Sequence, residues 1–406
     1  MTGLRIRQLC AGILCGMSVL LYGCIPVVRV SAPTVATQPP ETAIEVWQET
    51  IPETTVPETT VPQPEEFILT FAGDCTLGTD RKYYGNSGTF VGMVGENYAY
   101  PFENVRSYFE NDDFSLVNLE GTFTDYKGAK DKEFAFRGPP AYAKILTIGG
   151  VEAVNLSNNH SYDYGQTGYD DTKAALEAEG IAYVEDLSTL LYTTDRGLKV
   201  GVFSGKYDVK TSKIKAGISK LLQEGAEIVI ASFHWGVEGS YRPTQQQKNT
   251  ARAAIDAGAH IVFGHHPHVL QPIEEYGGGV IFYSVGNFSF GGNKNPRDKD
   301  SVILQQTVIR EPDGTVHLGT LERIPVGISS ITSRNDYKPT PYEPDTEDYV
   351  RTLSKLDGSF TGKDLVVSSP STTQTDATQP ATQTPTLEPT PTQEPEPSAS
   401  SPQETS

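Results

Sequence analysis

The chain has 406 residues, with 51 acidic and 32 basic side chains and a formal net charge of −19 at pH 7. Two segments rich in proline, threonine and glutamate, residues 30–66 and 361–406, hold thirteen of the acidic residues and one basic residue. The acidity therefore belongs mainly to these segments, and it argues against nucleic acid as a partner. Neither composition can bury enough apolar surface to offset the entropy of ordering. We expect a linker at residues 25–66 and a disordered tail at residues 361–406.

The N-terminal residues predict export and attachment to the membrane. Two arginines precede an apolar run at residues 13–21, a pattern typical of an export signal and too short to span a bilayer comfortably. Gly23 followed by Cys24 resembles a bacterial lipobox, in which the cysteine is acylated. Tyr22 is unusual in such a motif, so an uncleaved membrane anchor within residues 1–24 stays open as the alternative. Both alternatives predict an extracytoplasmic protein tethered to the cell membrane.

The middle of the chain, residues 67–330, has the pattern of one large α/β domain. Apolar strand-like runs lie at residues 67–72, 115–119, 151–156, 199–203, 227–233, 260–263, 280–285 and 302–309. Helix-like patterns lie at residues 166–179, 211–223 and 244–257, and a further helix is expected at 345–356 within a C-terminal extension, residues 331–360. Strands that alternate with helices favour a largely parallel or mixed sheet, whose ligands bind beyond the carboxyl ends of the strands.

Polar residues with metal-binding chemistry follow these runs. Six of the seven histidines lie between His160 and His268, and three of them occupy four positions directly after the apolar residues 261–263. Histidine is the commonest metal ligand and the usual acid or base at neutral pH. The candidates at strand ends are Asp74, Glu120, Asn159, His160, His234, His265, His266 and His268. Mixed carboxylate, amide and imidazole donors suit one or two divalent ions such as Mn, Fe or Zn.

Each candidate also has an ordinary structural interpretation. Asp74 could cap a helix or turn, Glu120 could be a solvated turn residue, and one of the two asparagines at 158–159 is expected to be a turn residue. His160 and His234 could be structural side chains. Because alternate residues of a strand face the same way, His266 and His268 are expected to point inward together. His265 would then support the site or contact a substrate.

Six ordered motifs resemble the CapA, or poly-γ-glutamate capsule-synthesis, family within the calcineurin-like metallophosphatase superfamily. They are Gly73-Asp74-Cys75-Thr76-Leu77-Gly78, Asn118-Leu119-Glu120, Asn158-Asn159-His160-Ser161-Tyr162-Asp163-Tyr164-Gly165, His234-Trp235-Gly236-Val237-Glu238, Gly264-His265-His266-Pro267-His268 and Tyr283-Ser284-Val285-Gly286-Asn287-Phe288. The resemblance covers roughly residues 67–310. It implies a single-domain αββα sandwich with mixed sheets.

The resemblance also implies a two-metal site. Carried over by position, the metal ligands are Asp74, Glu120 as the bridging carboxylate, Asn159, His234, His266 and His268, and His160 is the proton donor to the leaving group. Metallophosphatases generally have a histidine two residues after the first aspartate, where this chain has Thr76, so the first metal position is weakened or completed differently. Asp163 is expected to orient His160. Arg137, Glu238, His265 and Asn287 are candidates for contacts with substrate.

Two functions follow from these residues and the resemblance. In the first, a metal-dependent hydrolase or acyl- or phosphoryl-transfer enzyme acts with His160 as the general acid. In the second, the chain is a polymer-binding or export component of a capsule synthesis complex and does not cleave the polymer. A phosphoester, a γ-glutamyl amide and a cell-wall polymer all remain open as substrates. The expected partners are the membrane, an anionic polymer such as poly-γ-glutamate and other capsule synthesis subunits.

Overall fold

The computed structural model of the chain describes residues 62–365. The predicted signal or anchor with Cys24, nearly all of the predicted linker, and the tail beyond residue 365 lie outside the described residues. Within residues 62–365, no helix combines the length and the apolar character needed to cross a membrane.

Seventeen strands and seven α-helices make up the described part of the chain. The strands are β1 (Glu65–Thr76), β2 (Thr79–Asp80), β3 (Phe114–Leu119), β4 (Thr122–Phe123), β5 (Phe136–Gly138), β6 (Ala153–Asn155), β7 (Ala182–Val184), β8 (Thr189–Thr193), β9 (Lys199–Lys206), β10 (Ile228–His234), β11 (Ile261–His265), β12 (Ile273–Tyr276), β13 (Gly279–Phe282), β14 (Asn287–Phe290), β15 (Asp300–Arg310), β16 (Val316–Gly327) and β17 (Thr340–Pro341). The α-helices are α1 (Phe90–Val94), α2 (Arg106–Glu110), α3 (Ala143–Gly149), α4 (Gly165–Ala178), α5 (Thr211–Gln223), α6 (Gln245–Ile255) and α7 (Glu347–Leu356).

The strands form two large mixed sheets and one small sheet. The first sheet has eight strands in the order β17-β16-β15-β1-β3-β6-β7, with β14 also paired to β1. The second has six strands in the order β12-β13-β11-β10-β9-β8, and β2, β5 and β4 form the small sheet. The neighbours β1, β3, β6 and β7 are parallel, as are β9, β10, β11 and β13. Their carboxyl ends provide the edges at which a site is expected.

The two large sheets pack face to face, and helices cover their outer faces. Between the sheets, the ring of Phe71 lies 5.4 Å from that of Phe263 and 5.5 Å from that of Phe282, centroid to centroid. Apolar residues of α3 and α4 share a buried cluster with the outer face of β3 and β6. Apolar residues of α5 and α6 form a second buried cluster with the outer face of β10 and β11. The predicted αββα sandwich is confirmed.

Residues beyond 330 pack closely against the sandwich. Helix α7 lies where the sequence predicts a helix, and its Lys355 is buried with Nζ 2.7 Å from both Asp298 Oδ2 and Asp300 Oδ2. Farther along, the backbone amide of Leu365 donates to the carbonyl of Gly239 at 2.9 Å. Helix α7 therefore contributes buried contacts to the same core, and the described start of the predicted tail, up to Leu365, hydrogen-bonds to the domain.

Candidate metal centre

A row of hydrogen-bonded polar side chains fixes Asp74 at the end of β1. Asp74 is in register with Asn118 on β3, and Asn118 is in register with Asn155 on β6. Asn118 Nδ2 donates to Asp74 Oδ1 at 2.8 Å, and Asn155 Nδ2 donates to Asn118 Oδ1 at 2.8 Å. The hydroxyl of Ser204, on β9 of the other sheet, donates to Asn155 Oδ1. The row links both sheets and holds Oδ1 of Asp74, while Oδ2 lies 3.0 Å from His268 Nδ1.

Glycine at position 73 allows the close approach that sets Asp74 beside β14. A Cβ at Gly73 would lie 2.0 Å from the carbonyl oxygen of Gly286, which no rearrangement of side chains could relieve. The amide of Asp74 donates to the same carbonyl at 2.9 Å. Asp74 is consequently paired with Asn287 across the strands.

Glu120 lies at the centre of the site. Its Oε1 atom is 3.7 Å from His234 Nε2, 3.8 Å from His268 Nε2 and 3.9 Å from His160 Nε2. Its side chain is fully buried, and neither carboxylate oxygen has a hydrogen-bond partner. These separations are too long for hydrogen bonds. They suit donors that share an ion, because metal–ligand bonds to nitrogen and oxygen are about 2.0–2.2 Å.

The buried Nδ1 atom of His266, near Glu120, also lacks a hydrogen bond. Asp74 Oδ2 has the ring of His268 as its neighbour, with Nδ1 3.0 Å away. Burial, followed by the charge of Asp74, holds the pKa of Glu120 well above its usual range. Burial opposes the charged form of His268, but the carboxylates of Glu120 and Asp74 outweigh it and raise the pKa of His268 to about 10. Unpaired buried carboxylates are costly. A divalent cation would supply the missing positive charge, so the residues present fit a metal.

The candidate ligand atoms form overlapping groups. Within each group they lie within 4.8 Å of one another: Asp74, Glu120 and His268; Glu120, His234 and His266; Asp74, His234 and His265; and Glu238, His266 and His268. Glu120 belongs to the first two groups, as expected for a carboxylate that bridges two ions. Asn159 Oδ1 lies 2.7 Å from His234 Nε2, which places the predicted amide ligand beside the second group.

His160 lies at the edge of this centre and is held by a carboxylate and a lysine. Its Nδ1 is 2.8 Å from Asp163 Oδ2, which also accepts a hydrogen bond from the amide of Phe136 at 2.6 Å. Lys132 Nζ lies 2.7 Å from the other oxygen of Asp163 and donates to the carbonyl of Asn159 at 2.9 Å. Burial lowers the pKa of His160, and Asp163 opposes that shift. Nδ1 is fixed, so Nε2 is the nitrogen that faces the centre.

Comparison with known proteins decides the family. The bacterial capsule synthesis protein family PGA_cap matches residues 68–292, more than half of the chain. The chain belongs to this family. The resemblance seen in the sequence motifs is thereby confirmed.

Similar proteins carry capsule-related names. One is the capsule biosynthesis protein CapA of Bacillus anthracis, 29% identical over 67% of this chain and 72% of the relative. Another is the PGA biosynthesis protein CapA of Bacillus subtilis, 32% identical over 64% of this chain and 73% of the relative. Among solved structures, the NAD nucleotidase of Haemophilus influenzae aligns over 73% of this chain and 56% of its own, with 12% identity and a TM-score of 0.41. That likeness is too low to support a functional conclusion.

The histidine cluster of this PGA_cap protein is built differently from the prediction. Strand β11 ends at His265, and His266 and His268 lie beyond it with positive φ angles of 103° and 57°. Strand alternation therefore does not explain why the two residues converge, and that reasoning was wrong. A turn in an unfavourable backbone conformation brings them together, as is common at functional sites.

Three residues predicted to contact substrate are instead engaged within the protein. His265 is fully buried, with Nδ1 2.8 Å from His234 Nδ1 and Nε2 3.1 Å from Ser232 Oγ, so it supports His234. Asn287 is buried with Oδ1 2.9 Å from His268 Nδ1, so it holds that ring. Arg137 is also buried; it stacks 3.8 Å from the ring of Tyr84 and donates to the carbonyl of Thr124 at 3.1 Å.

The sequence interpretation missed two residues that position the site. Asn118 bridges Asp74 to the interior row, and a polar residue inside the apolar run of β3 was the available signal. Lys132 lies in a polar loop with two other lysines, so nothing in the sequence distinguished it. One of the two asparagines at 158–159 was expected to be a turn residue, and Asn158 has that role. Its Oδ1 accepts a hydrogen bond from the backbone amide of His160 at 3.0 Å.

Thr76 occupies the position where the general metallophosphatase pattern has a histidine. It is fully buried, and its hydroxyl has no hydrogen-bond partner.

Proposed function

We propose that this PGA_cap protein is a metal-dependent hydrolase-type enzyme that acts on poly-γ-glutamate or another cell-surface polymer during capsule synthesis or processing. The observation that carries the proposal is the arrangement around Glu120, with three imidazole nitrogens 3.7–3.9 Å from one buried carboxylate oxygen. The capsule-related names of the relatives from two Bacillus species support the polymer as the class of substrate.

The residues that would hold the metal are those that surround Glu120. One position would use Asp74, Glu120 and His268, and the other would use Glu120, Asn159, His234 and His266. When bound, a divalent ion supplies Lewis acidity toward the substrate and toward an attacking water. The row from Asp74 to Ser204, together with His265 behind His234, fixes these donors in advance of binding, which reduces the cost of reorganisation.

His160 is the candidate general acid. Asp163 engages Nδ1, so the exchangeable proton of the imidazolium is on Nε2, the nitrogen that faces Glu120. Burial lowers the pKa of His160. That shift makes the imidazolium a stronger acid and favours release of the Nε2 proton to a leaving group.

The location is part of the proposal. Acylation of Cys24, or an uncleaved anchor in residues 1–24, would tether the domain outside the cytoplasmic membrane, where capsular polymer and other capsule synthesis subunits would be its partners. Replacing Cys24 by alanine and measuring the mass of the mature N-terminus tests this part. A membrane-bound chain that still carries Met1 would exclude the lipoprotein form.

A second candidate function is a non-catalytic polymer-binding or export component. Thr76 favours it, because this position supplies a metal ligand in the general metallophosphatase pattern and holds no histidine here. The two functions differ in whether the polymer is shortened.

The deciding experiment uses the full chain, stripped of metal and then reloaded with Mn, Fe or Zn. Two substrates are used: poly-γ-glutamate, whose chain length is measured, and a generic aryl phosphodiester, whose released phenol is measured. We expect metal-dependent cleavage by the parent protein and none by Glu120→Gln. Polymer that binds to the reloaded protein and keeps its length would support the binding function instead.

A further inference from the structure

The loop between β10 and α6 is fixed against the histidine turn. It begins with Trp235, whose amide donates to the carbonyl of His265 at 3.0 Å. Four residues later, the amide of Gly239 donates to the carbonyl of Pro267 at 2.8 Å. Pro267 stands between the candidate ligands His266 and His268. The residue that precedes Gly239 is therefore held beside both histidines by the backbone.

Glu238 is that residue, and its side chain reaches the centre. A carboxylate oxygen of Glu238 and one ring nitrogen each of His266 and His268 all lie within 4.8 Å of one another. The buried Nδ1 atom of His266 has no hydrogen-bond partner. This arrangement contains a hard oxygen donor and two imidazoles, which is a donor set suited to Mn, Fe or Zn.

One position of the proposed metal centre has fewer protein ligands than the metallophosphatase pattern provides. The group formed by Asp74, Glu120 and His268 offers three donors, and Thr76 supplies no imidazole to it. His268 belongs both to this group and to the group that contains Glu238. The carboxylate of Glu238 therefore lies beside a histidine that Asp74 and Glu120 also approach.

We propose that Glu238 is a metal ligand, which supplies from the β10–α6 loop the donor that position 76 lacks. The inference rests on the proposed metal centre and adds a residue to it. It assigns Glu238 to the metal, whereas the sequence indicated a contact with substrate.

Metal binding by the full chain tests the assignment without any activity assay. Glu238→Gln keeps the shape of the side chain and removes its charge. Asp208→Asn is the matched control, because Asp208 is an exposed acid next to Tyr207, whose ring lies 6.1 Å from that of His266. Bound Mn per chain and its affinity are measured by elemental analysis and titration, and the Mn EPR spectrum reports whether two ions are coupled.

We expect Glu238→Gln to lose one Mn per chain, with loss of the coupled EPR signal, or to bind Mn at least roughly tenfold more weakly, as expected when a group that supports a metal is removed. Asp208→Asn should match the parent. Equal thermal unfolding of the metal-free parent and variants shows that the fold is intact. If Glu238→Gln binds Mn with the stoichiometry and affinity of the parent, Glu238 is not a ligand. A parent protein that binds no metal would overturn the proposed function itself, so the two failures are distinguishable.

Discussion

Asp163 Oδ2 lies 2.8 Å from Nδ1 of His160, so the ring is held with its other nitrogen toward Glu120. This relationship predicts that His160 transfers a proton and is not needed to hold the metal. His160→Asn should keep most of its metal while the rate of cleavage falls by about a hundredfold or more, the usual scale for general acid catalysis. His268→Ala and Asp74→Ala should lose metal outright. If His160→Asn loses metal as completely as His268→Ala, then His160 is a ligand.

Lys132 should act through Asp163 and Asn159, since its ammonium group contacts both. Lys132→Met is expected to lower kcat by roughly tenfold, as for other partners that orient the residues of a metal site. KM should change little, and Lys132→Arg should restore part of the rate. Lys130→Met is the control, because its side chain lies over the ring of Tyr162 at 5.5 Å and does not contact the site. Equal rates for the two Met variants would argue against a positioning role.

Helix α7 should be essential to the stability of the domain. Lys355 is buried against Asp298 and Asp300, so Lys355→Met leaves the buried carboxylate of Asp298 without its ammonium partner, whereas Asp300 keeps its pair with Arg351. The change should cost about 3 kcal/mol in the free energy of unfolding, the lower end of the range for a broken buried pair. Lys220→Ala removes an exposed pair with Glu224 and should cost about 0.3–0.5 kcal/mol. Urea unfolding of the two variants measures the difference. Similar midpoints would mean that α7 contributes little.

Asp112 should make stability fall as pH rises. Burial, followed by the charges of Glu152 and Asp113, raises the pKa of Asp112 from 3.8 to about 8. The folded state therefore holds more protons than the unfolded state between these values, and its free energy of unfolding decreases across this pH range. Asp112→Asn should be more stable than the parent at pH 8 and should show a flatter pH dependence. If the free energy of unfolding depends on pH in the same way for the parent and for Asp112→Asn, the pKa of Asp112 is not raised in the folded state.

Much of the fold was predictable because periodicity is a local property of the sequence. Helix α5 begins and ends at the predicted residues, and β1, β3, β9, β10 and β15 lie where apolar runs predict them. Strand β16 was missed since only four of its twelve residues are buried and it contains both Gly319 and Pro325, which weaken a strand pattern. The strands of the small sheet have only two or three residues, too few to leave a pattern.

The candidate metal ligands were predictable because their residue types indicate metal binding. The residues that position those ligands were not predictable, because their roles depend on contacts with residues distant in the sequence. Asp74, Glu120 and the histidines of the site lie at strand ends or just beyond them, and the structure brings them together. The roles of Asn118 and Lys132 depend on partners 44 and 31 residues away, Asp74 and Asp163, which no local pattern reveals. The buried environment of Arg137 likewise comes from two tyrosine rings that pack over it.

The metal content of the intact protein tests the account most directly. The chain should be purified without chelators and with residues 331–365 retained, because α7 packs into the core. Elemental analysis should then find one or two transition-metal ions per chain, and adding Mn, Fe or Zn to stripped protein should raise its unfolding temperature, since a ligand of the native state must stabilise it. Glu120→Gln should show neither effect. A parent protein that carries no metal and gains no stability from any of the three ions would contradict the proposed metal centre.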